Sequence, residues 1–293
     1  MHPPSLVRIA LLVCLLWLTP SLQAHEFWFK PIASPQARGA TANLRLEVGE
    51  FFVGEAAGFS IATTQGLRHI TPQAQQDLRP FLPADAPEAE VALALEVPGT
   101  HLLAYDSTAR HITLDAHKFQ AYLHDEGLDF IKVLREKAGT DQQPGRERYR
   151  RHIKTLVQVG PPSRAGQATD ATYATRVGQR LEILPLRNPL TQAPGATLPL
   201  RIEFDKKPLV GALVKAWHKH KDQLLTIRAT TSAQGQVEFN LPYAGDWMIS
   251  VVHMIPVTDE DGVDWESLWG NLSFHIPERP AARGAAAFHS TAR

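Results

Sequence analysis

The chain has 293 residues, and its 30 lysines and arginines balance 30 aspartates and glutamates, giving a formal net charge of zero. This balance excludes the strongly basic surface that nucleic-acid binding requires, so we expect no nucleic-acid partner. The single cysteine excludes a disulfide within the chain, and the 22 prolines and 19 glycines, set between short β-branched runs, favour a mainly β fold.

The first 24 residues have the pattern of a secretory signal peptide. Arg8 precedes an apolar run from Ile9 to Leu18, and Ala24 offers a small residue for cleavage. The run is about ten residues long, whereas a membrane-spanning helix needs about 20. We therefore expect an exported chain that begins at His25 and loses its only cysteine with the signal.

Residues 25–165 are predicted to form a β-rich N-terminal domain. Short extended segments alternate with turn signals from His25 to Asp115. In "VALALEVPGTHLLAY" apolar residues alternate before the turn dipeptide Pro98–Gly99, and a second apolar run follows. This pattern is typical of a β-hairpin.

A small helical insertion at about residues 116–151 interrupts this domain. Behind a possible N-cap at Asp115, apolar residues recur at helical spacing and define one face: Phe119, Tyr122 and Leu123. Gly127 separates a second helix. The pattern predicts a third short helix near Arg146, before a return to strand in "IKTLVQVG".

A small, polar segment at residues 161–178 is typical of a linker or long loop, and we expect the domain boundary within it. Residues 179–277 then alternate strand and turn signals, which predicts a C-terminal β-sandwich of immunoglobulin or prealbumin type. Residues 278–293 lack periodicity and are predicted to be a disordered tail.

His25 is the first candidate metal ligand. A free N-terminal histidine can bind one ion through both its α-amino nitrogen, of pKa about 8, and its imidazole, of pKa about 6.5. Nitrogen ligands in tetragonal geometry suit Cu(II) and Ni(II) better than Zn(II) or Ca(II). The alternative is an ordinary exposed terminus, in which Phe27 and Trp28 only anchor the first strand.

Three further histidines are candidate ligands. His218 and His220 lie two apart in the predicted strand "WHKH", hence on one sheet face, where they could share an ion. Lysines around the pair indicate instead a solvated strand edge: Lys215, Lys219 and Lys221. His253 is predicted to end a strand where a loop begins, a frequent ligand position, although a purely structural histidine fits equally well.

Charged segments offer weaker sites. Glu50 and Glu55 flank a predicted turn and could supply a carboxylate second shell to a metal. The basic run "RERYRRHIK" is either an anion site or a solvated helix face. The acidic loop "DEDGVDWE" has its glycine too early for an EF-hand. No catalytic motif is found, and we predict no catalytic residue.

Several motifs together resemble a known family. They are "AHEFWFKP", "GEFFVGE", "FQAYLHDEGLD", "LEILPLRNP", "TTSAQGQVEFNLPYAGDWMISVVHM" and "DWESLWGNLSF". These stretches, from His25 to about Pro277, look like bacterial periplasmic proteins grouped as a domain of unknown function and described as nickel- or cobalt-uptake accessory proteins, NikM-like or NikK-like. In this resemblance His25 matches the family's histidine after the signal, and His253 matches its histidine before a methionine.

The resemblance implies a periplasmic metal-associated protein that works beside an inner-membrane metal transporter or an outer-membrane receptor. We therefore expect binding of nickel, cobalt or copper rather than catalysis, with His25 as the chelating ligand. Two alternatives remain. One is a copper-dependent oxidase of monooxygenase type, which needs a flat aromatic surface near His25. The other is a metal-free sandwich module that binds carbohydrate or protein.

Overall fold

The computed structural model describes residues 25–84, 90–161, 170–220, 223–260 and 262–278. The predicted signal peptide, and all of the predicted tail except residue 278, lie outside these ranges. No helix in the described part of the chain is long and apolar enough to cross a membrane.

The fold is mainly β, as the sequence predicts. Its two α-helices are α1 (Ala116–Asp125) and α2 (Asp129–Lys137). The strands are β1 (Glu26–Phe29), β2 (Ala40–Glu50), β3 (Val53–Ala57), β4 (Thr64–Ile70), β5 (Gln75–Asp77), β6 (Glu90–Leu95), β7 (Gly99–Ser107), β8 (Arg110–Leu114), β9 (Gly145–Val159), β10 (Leu181–Pro185), β11 (Thr197–Phe204), β12 (Lys207–Pro208), β13 (Leu213–His220), β14 (Gln223–Thr230), β15 (Gln236–Asn240), β16 (Gly245–Pro256) and β17 (Trp265–Ile276).

A large sheet forms the centre of the molecule, in the order β14-β13-β16-β17-β9-β7-β4-β5, with β8 paired to β9. Its strands come from both predicted domains, and they join where β17 runs parallel to β9. The linker predicted at residues 161–178 therefore does not separate two independent sheets. The backbone hydrogen bonds between β9 and β17 connect the two halves of the chain.

A smaller sheet covers each face of the large one. On one face, β1, β2, β3 and β6 contribute Phe29, Leu44 and Leu93 to a core shared with Leu103 of the large sheet. On the other face, β10, β11 and β15 of the second small sheet, which also includes β12, contribute to a core that includes Leu102. Neighbouring residues of β7 thus enter different cores, as strand alternation requires. The result is three layers.

The two helices pack on the large sheet beside the first small sheet. The side chain of Asp115 accepts a hydrogen bond from the backbone N–H of Lys118 at 2.9 Å, which confirms the predicted N-cap. The predicted apolar face is buried against β16 and β17, where it contacts Trp265 and Trp269. It consists of Phe119, Tyr122 and Leu123.

The predicted third helix is wrong. Residues 145–159 form β9, so the helical part ends at Lys137 rather than near residue 151. β9 pairs with β17 on one edge and with β7 and β8 on the other. These ladders override the local preference of a charged segment, because strand formation depends mainly on neighbouring strands.

The predicted hairpin at Pro98–Gly99 is also wrong, although both of its strands form. β6 pairs with β2 in the small sheet, whereas β7 pairs with β4 and β9 in the large sheet. Because β7 has a partner on each edge, it has no free edge for β6. The chain therefore crosses between layers at this turn, where Gly99 has a φ of 120° that favours glycine.

Candidate functional site

His25 lies beside Glu50 at the edge of the first small sheet. β1 pairs antiparallel with β2 so that Glu26 is opposite Gly49, which brings the preceding His25 next to Glu50. The distance from His25 Nε2 to Glu50 Oε1 is 3.3 Å, and 47 % of the His25 side chain is exposed. The imidazole is thus oriented by a carboxylate while remaining accessible to solvent.

Strand β1 is anchored firmly to the large sheet. Trp28 and Phe29 are fully buried, so most of the aromatic run after His25 is core. Ser273 donates a hydrogen bond to the Phe29 carbonyl at 2.7 Å, and Asn271 Nδ2 donates to Glu26 Oε2 at 3.0 Å. These contacts determine where His25 stands, since it directly precedes the strand.

The turn between β2 and β3 forms one side of the site. Phe51 and Phe52 have φ angles of 54° and 58°, the left-handed conformation that type I′ hairpin turns require. The Phe52 ring lies 5.5 Å from that of Trp28, and the Phe51 ring, 55 % exposed, lies 6.4 Å from that of Trp217. The turn thus presents an exposed aromatic ring beside Glu50.

A cavity of about 480 Å³ opens between this turn, helix α1 and strand β13. Its wall combines aromatic rings with charged groups: Glu26, Phe51, Tyr122, Glu126, Lys215 and Trp217. Glu50 also lines it, so the cavity adjoins His25. Volumes of this order accommodate small organic ligands.

Two buried residues, Glu26 and Lys215, and the partly buried Glu126 meet at this cavity. Lys215 Nζ lies 2.7 Å from Glu126 Oε2 and 5.7 Å from the centre of the Trp217 ring. Burial raises the pKa of Glu126 to about 7, with a further increase from the negative charge of Glu26, while Lys215 opposes the shift. The predicted solvated strand edge is wrong for Lys215, which is only 4 % exposed on a strand with a partner on each edge. Lys219 is exposed as predicted, and Lys221 lies outside the described residues.

A buried polar network continues below the cavity. Glu147 accepts hydrogen bonds from Ser267 and, at 3.5 Å, from the Tyr122 hydroxyl. The Arg151 guanidinium lies 4.5 Å from the centre of the Trp269 ring, and burial lowers its pKa. Burial also raises the pKa of Glu147 to about 7.

We expect Glu147→Gln to change how stability depends on pH. The pKa of Glu147 rises from 4.5 to about 7 on folding, so between these values the folded state binds more protons than the unfolded state. This group therefore destabilises the wild type progressively as pH rises from about 4.5 to 7. Relative to wild type, the free energy of unfolding of Glu147→Gln should increase over this interval in urea titrations. The unfolding free energy of an exposed control, Glu55→Gln, should follow that of wild type at every pH. A difference in unfolding free energy between Glu147→Gln and wild type that does not change with pH would contradict the expectation.

His253 lies inside a strand rather than at its end, because β16 continues to Pro256. Its ring lies 4.5 Å from that of Phe204 on β11, and burial lowers its pKa to about 4. By strand alternation it faces the second small sheet, opposite the face on which Glu26 contacts Asn271. The structure therefore does not bring His253 to His25.

His218 is distant from His253, and by strand alternation it lies on the face of β13 opposite Trp217, which packs with Trp28. It is 2 % exposed, its ring stacks 4.5 Å from that of Trp247, and its Nδ1 lies 2.7 Å from the Asp246 carbonyl oxygen. It pairs with Trp247, six residues before His253 on β16, so about 20 Å of strand separates the two histidines. His220 lies two residues further from His253 on β13.

Within the described ranges, no group of three or more histidine, cysteine, aspartate or glutamate side chains is arranged to hold a metal ion.

The basic run and the acidic loop of the sequence contact each other. Arg146 Nε lies 2.9 Å from Asp264, Arg148 Nη1 2.9 Å from Glu260, and Arg150 Nε 3.1 Å from Glu266. Arg148, Arg150 and Glu266 line a polar cleft of about 1090 Å³. These opposite charges offset one another, which disfavours both the anion site and the calcium site.

Sequence reasoning missed the charged residues of the cavity. Glu26 and Lys215 stand among apolar residues in "HEFWF" and "LVKAW", and a charge inside an apolar strand was the available signal. Glu126 follows helix α1 and carries no comparable signal.

Three solved structures that match the chain are distant from it in sequence. The fibronectin(III)-like modules of Clostridium thermocellum CbhA are 9 % identical, with a TM-score of 0.19, over 88 % of this chain and 100 % of theirs. Dimeric latent PorU from Porphyromonas gingivalis is 10 % identical, with a TM-score of 0.20, over 87 % of this chain and 20 % of its own. The chicken CNTN1 FN1-FN3 domains are 7 % identical, with a TM-score of 0.19, over 86 % of this chain and 66 % of theirs.

No curated protein matches the chain. The sequence profile of one family, however, matches residues 22–255, which is most of the chain and includes His25, the cavity residues and His253. The chain therefore belongs to the family described as a domain of unknown function, DUF4198.

Proposed function

We propose that this protein binds a transition-metal ion, nickel, cobalt or copper, in the periplasm, and that it buffers or delivers the ion for uptake. The observation that carries the proposal is the contact of 3.3 Å between His25 Nε2 and Glu50 Oε1. It rests on removal of the first 24 residues, which would leave His25 with a free amine.

The chelate uses the α-amino nitrogen and Nδ1 of His25. Metal-binding histidines commonly donate the N–H of their other ring nitrogen to a carboxylate, which fixes the tautomer and the ring orientation. Glu50 stands where it can accept such a hydrogen bond from Nε2. Its role is thus to position the imidazole rather than to bind the ion.

Binding and delivery fit this arrangement better than tight sequestration. Two protein nitrogens leave further coordination positions open, and the half-exposed His25 side chain gives a partner access to them. A membrane transporter or an outer-membrane receptor could complete the coordination and take the ion. A nitrogen chelate in tetragonal geometry favours copper or nickel over zinc, which prefers a tetrahedron.

The type of β-sandwich formed by the C-terminal residues is also part of this proposal. We assign residues 179–277 to an immunoglobulin- or prealbumin-type sandwich. The support is that β10, β11 and β15 pack against β13, β16 and β17 through one apolar core.

The two alternative functions have less support. A copper-dependent monooxygenase acting on a polymer needs a flat aromatic surface, whereas Trp28 and Phe29 are fully buried and Phe51 alone supplies an exposed ring beside Glu50. A metal-free carbohydrate- or protein-binding module would show no stabilisation by metal ions.

The proposal is tested by titrating chain that begins at His25 with Ni(II), Co(II) and Cu(II) in a calorimeter. One extra residue before His25 should weaken binding of the preferred ion by about 100-fold or more, because the second ligand is then no longer part of a chelate. Glu50→Gln should weaken it by about tenfold.

Glu55→Gln is the matched control, because Glu55 is an exposed carboxylate on the neighbouring strand β3. It should bind the ion as wild type does. Equal affinity of the extended and correctly processed chains would refute the terminal chelate.

A further inference from the structure

Glu26, which lines the cavity beside His25, has one buried carboxylate oxygen without a hydrogen-bond donor. Glu26 is only 6 % exposed and lines the cavity. Its Oε2 accepts a hydrogen bond from Asn271 at 3.0 Å, but its Oε1 receives none from the described residues. A buried acceptor that is left unsatisfied costs free energy, so a ligand that donates a hydrogen bond to it would bind favourably.

The charges around the cavity favour a cationic donor. The cavity is lined by four acidic residues, Glu26, Glu50, Asp125 and Glu126, and by three basic ones, Lys118, Lys215 and Arg228. The deeper network adds one group of each sign, Glu147 and Arg151. Lys215 is held by Glu126 at 2.7 Å. The Arg151 guanidinium lies 4.5 Å from the centre of the Trp269 ring, and the negative charge of Glu26 acts on it. One additional positive charge near Glu26 would make the numbers of acidic and basic groups equal.

The aromatic residues of the cavity wall indicate which chemical group should accompany the cation in the ligand. Trp217 and Tyr122 line the cavity, and Phe51 forms its exposed edge. Aromatic faces attract cations and also contact apolar groups, as Trp217 already does with the Lys215 ammonium at 5.7 Å. The volume of about 480 Å³ suits a small molecule rather than a polymer.

We propose that this cavity binds a small organic cation, a primary amine on an apolar or aromatic body, with its ammonium group on Glu26 and its body between Trp217 and Tyr122. This site is separate from the proposed chelate, because neither the α-amino nitrogen nor Nδ1 of His25 takes part. Burial is the main cause of the raised pKa of Glu126, and the negative charge of Glu26 raises it further, which agrees with a site for a cation.

The test uses metal-free protein beginning at His25, titrated calorimetrically with phenethylamine and, in parallel, with its neutral analogue phenethyl alcohol. We expect saturable binding of the amine and at least about tenfold weaker binding of the alcohol, because a bond to a charged group is lost. Glu26→Gln should weaken amine binding by a similar factor. The control Glu238→Gln, which removes an exposed carboxylate on β15, should leave it unchanged.

A second variant tests the cavity without removing the buried charge of Glu26. Ala121 is an exposed helical residue that lines the cavity, so Ala121→Phe should fill the cavity and abolish amine binding without disturbing the core. The proposal is overturned if the amine does not bind, if the alcohol binds equally well, or if a folded Glu26→Gln or Ala121→Phe binds the amine like wild type. Because no metal is present, these results are independent of the proposed metal function.

Discussion

Replacing Lys154 with methionine is expected to lower the free energy of unfolding by about 3 to 5 kcal/mol, the usual cost of breaking a buried ion pair on one side. Lys154 is 2 % exposed, and its Nζ lies 2.7 Å from Oε1 of Glu182, which is 3 % exposed. The pair links β9 of the large sheet to β10 of the second small sheet. Methionine retains the length of the side chain but leaves Glu182 as a buried, uncompensated charge.

Urea denaturation of Lys154→Met and of the double variant Lys154→Met/Glu182→Gln measures this effect. Glu182 also accepts hydrogen bonds from the backbone N–H groups of Val177, at 2.7 Å, and Gly178, at 3.3 Å. Glutamine retains one acceptor oxygen for them and removes the charge. We expect the double variant to recover much of the lost stability. A single variant as stable as wild type would show that the pair is not buried as described.

Replacing Trp28 with alanine is the second change of large expected effect, also about 3 to 5 kcal/mol, as for other buried aromatic residues cut back to alanine. Trp28 is fully buried and packs with Trp217, Met248 and Phe52 between β1 and the large sheet. The substitution leaves a cavity and loosens the strand that holds His25. Thermal and urea unfolding measure the loss.

Trp28→Phe provides the matched control. The Nε1–H of Trp28 is buried, and no described residue accepts its hydrogen bond. Phenylalanine therefore retains most of the packing and removes no hydrogen bond made by the indole, so we expect a loss below about 1.5 kcal/mol. If both variants lose the same stability, the indole group rather than ring packing stabilises this strand.

Local features of the fold were predictable. Asp115 is a good N-cap, and its helix buries Phe119 and Tyr122 at the predicted spacing, because capping and helical period act within one turn. Partners distant in the chain were not predictable. The strand β9 forms because β17 and β7 pair with its backbone N–H and C=O groups. No pattern within the charged residues of β9 indicates these two partner strands.

Some residues of the candidate site were likewise predictable from the sequence, and others were not. His25 and Glu50 were singled out from the sequence, and the register of β1 against β2 brings them together. His218 and His253 were also singled out, but they lie far apart on β13 and β16 because each packs into a different part of the second core. A histidine that packs against aromatic rings cannot be distinguished from a ligand by spacing alone.

The sequence by itself determined that the protein is mainly β and where many of its strands lie, since turn residues and alternation are local properties. Only the tertiary structure decided that both halves share one sheet and that Glu26, Glu126 and Lys215 meet beside His25. The physical reason is that strand pairing joins residues distant in the chain. The desolvation that perturbs Glu126 arises only when other elements cover it.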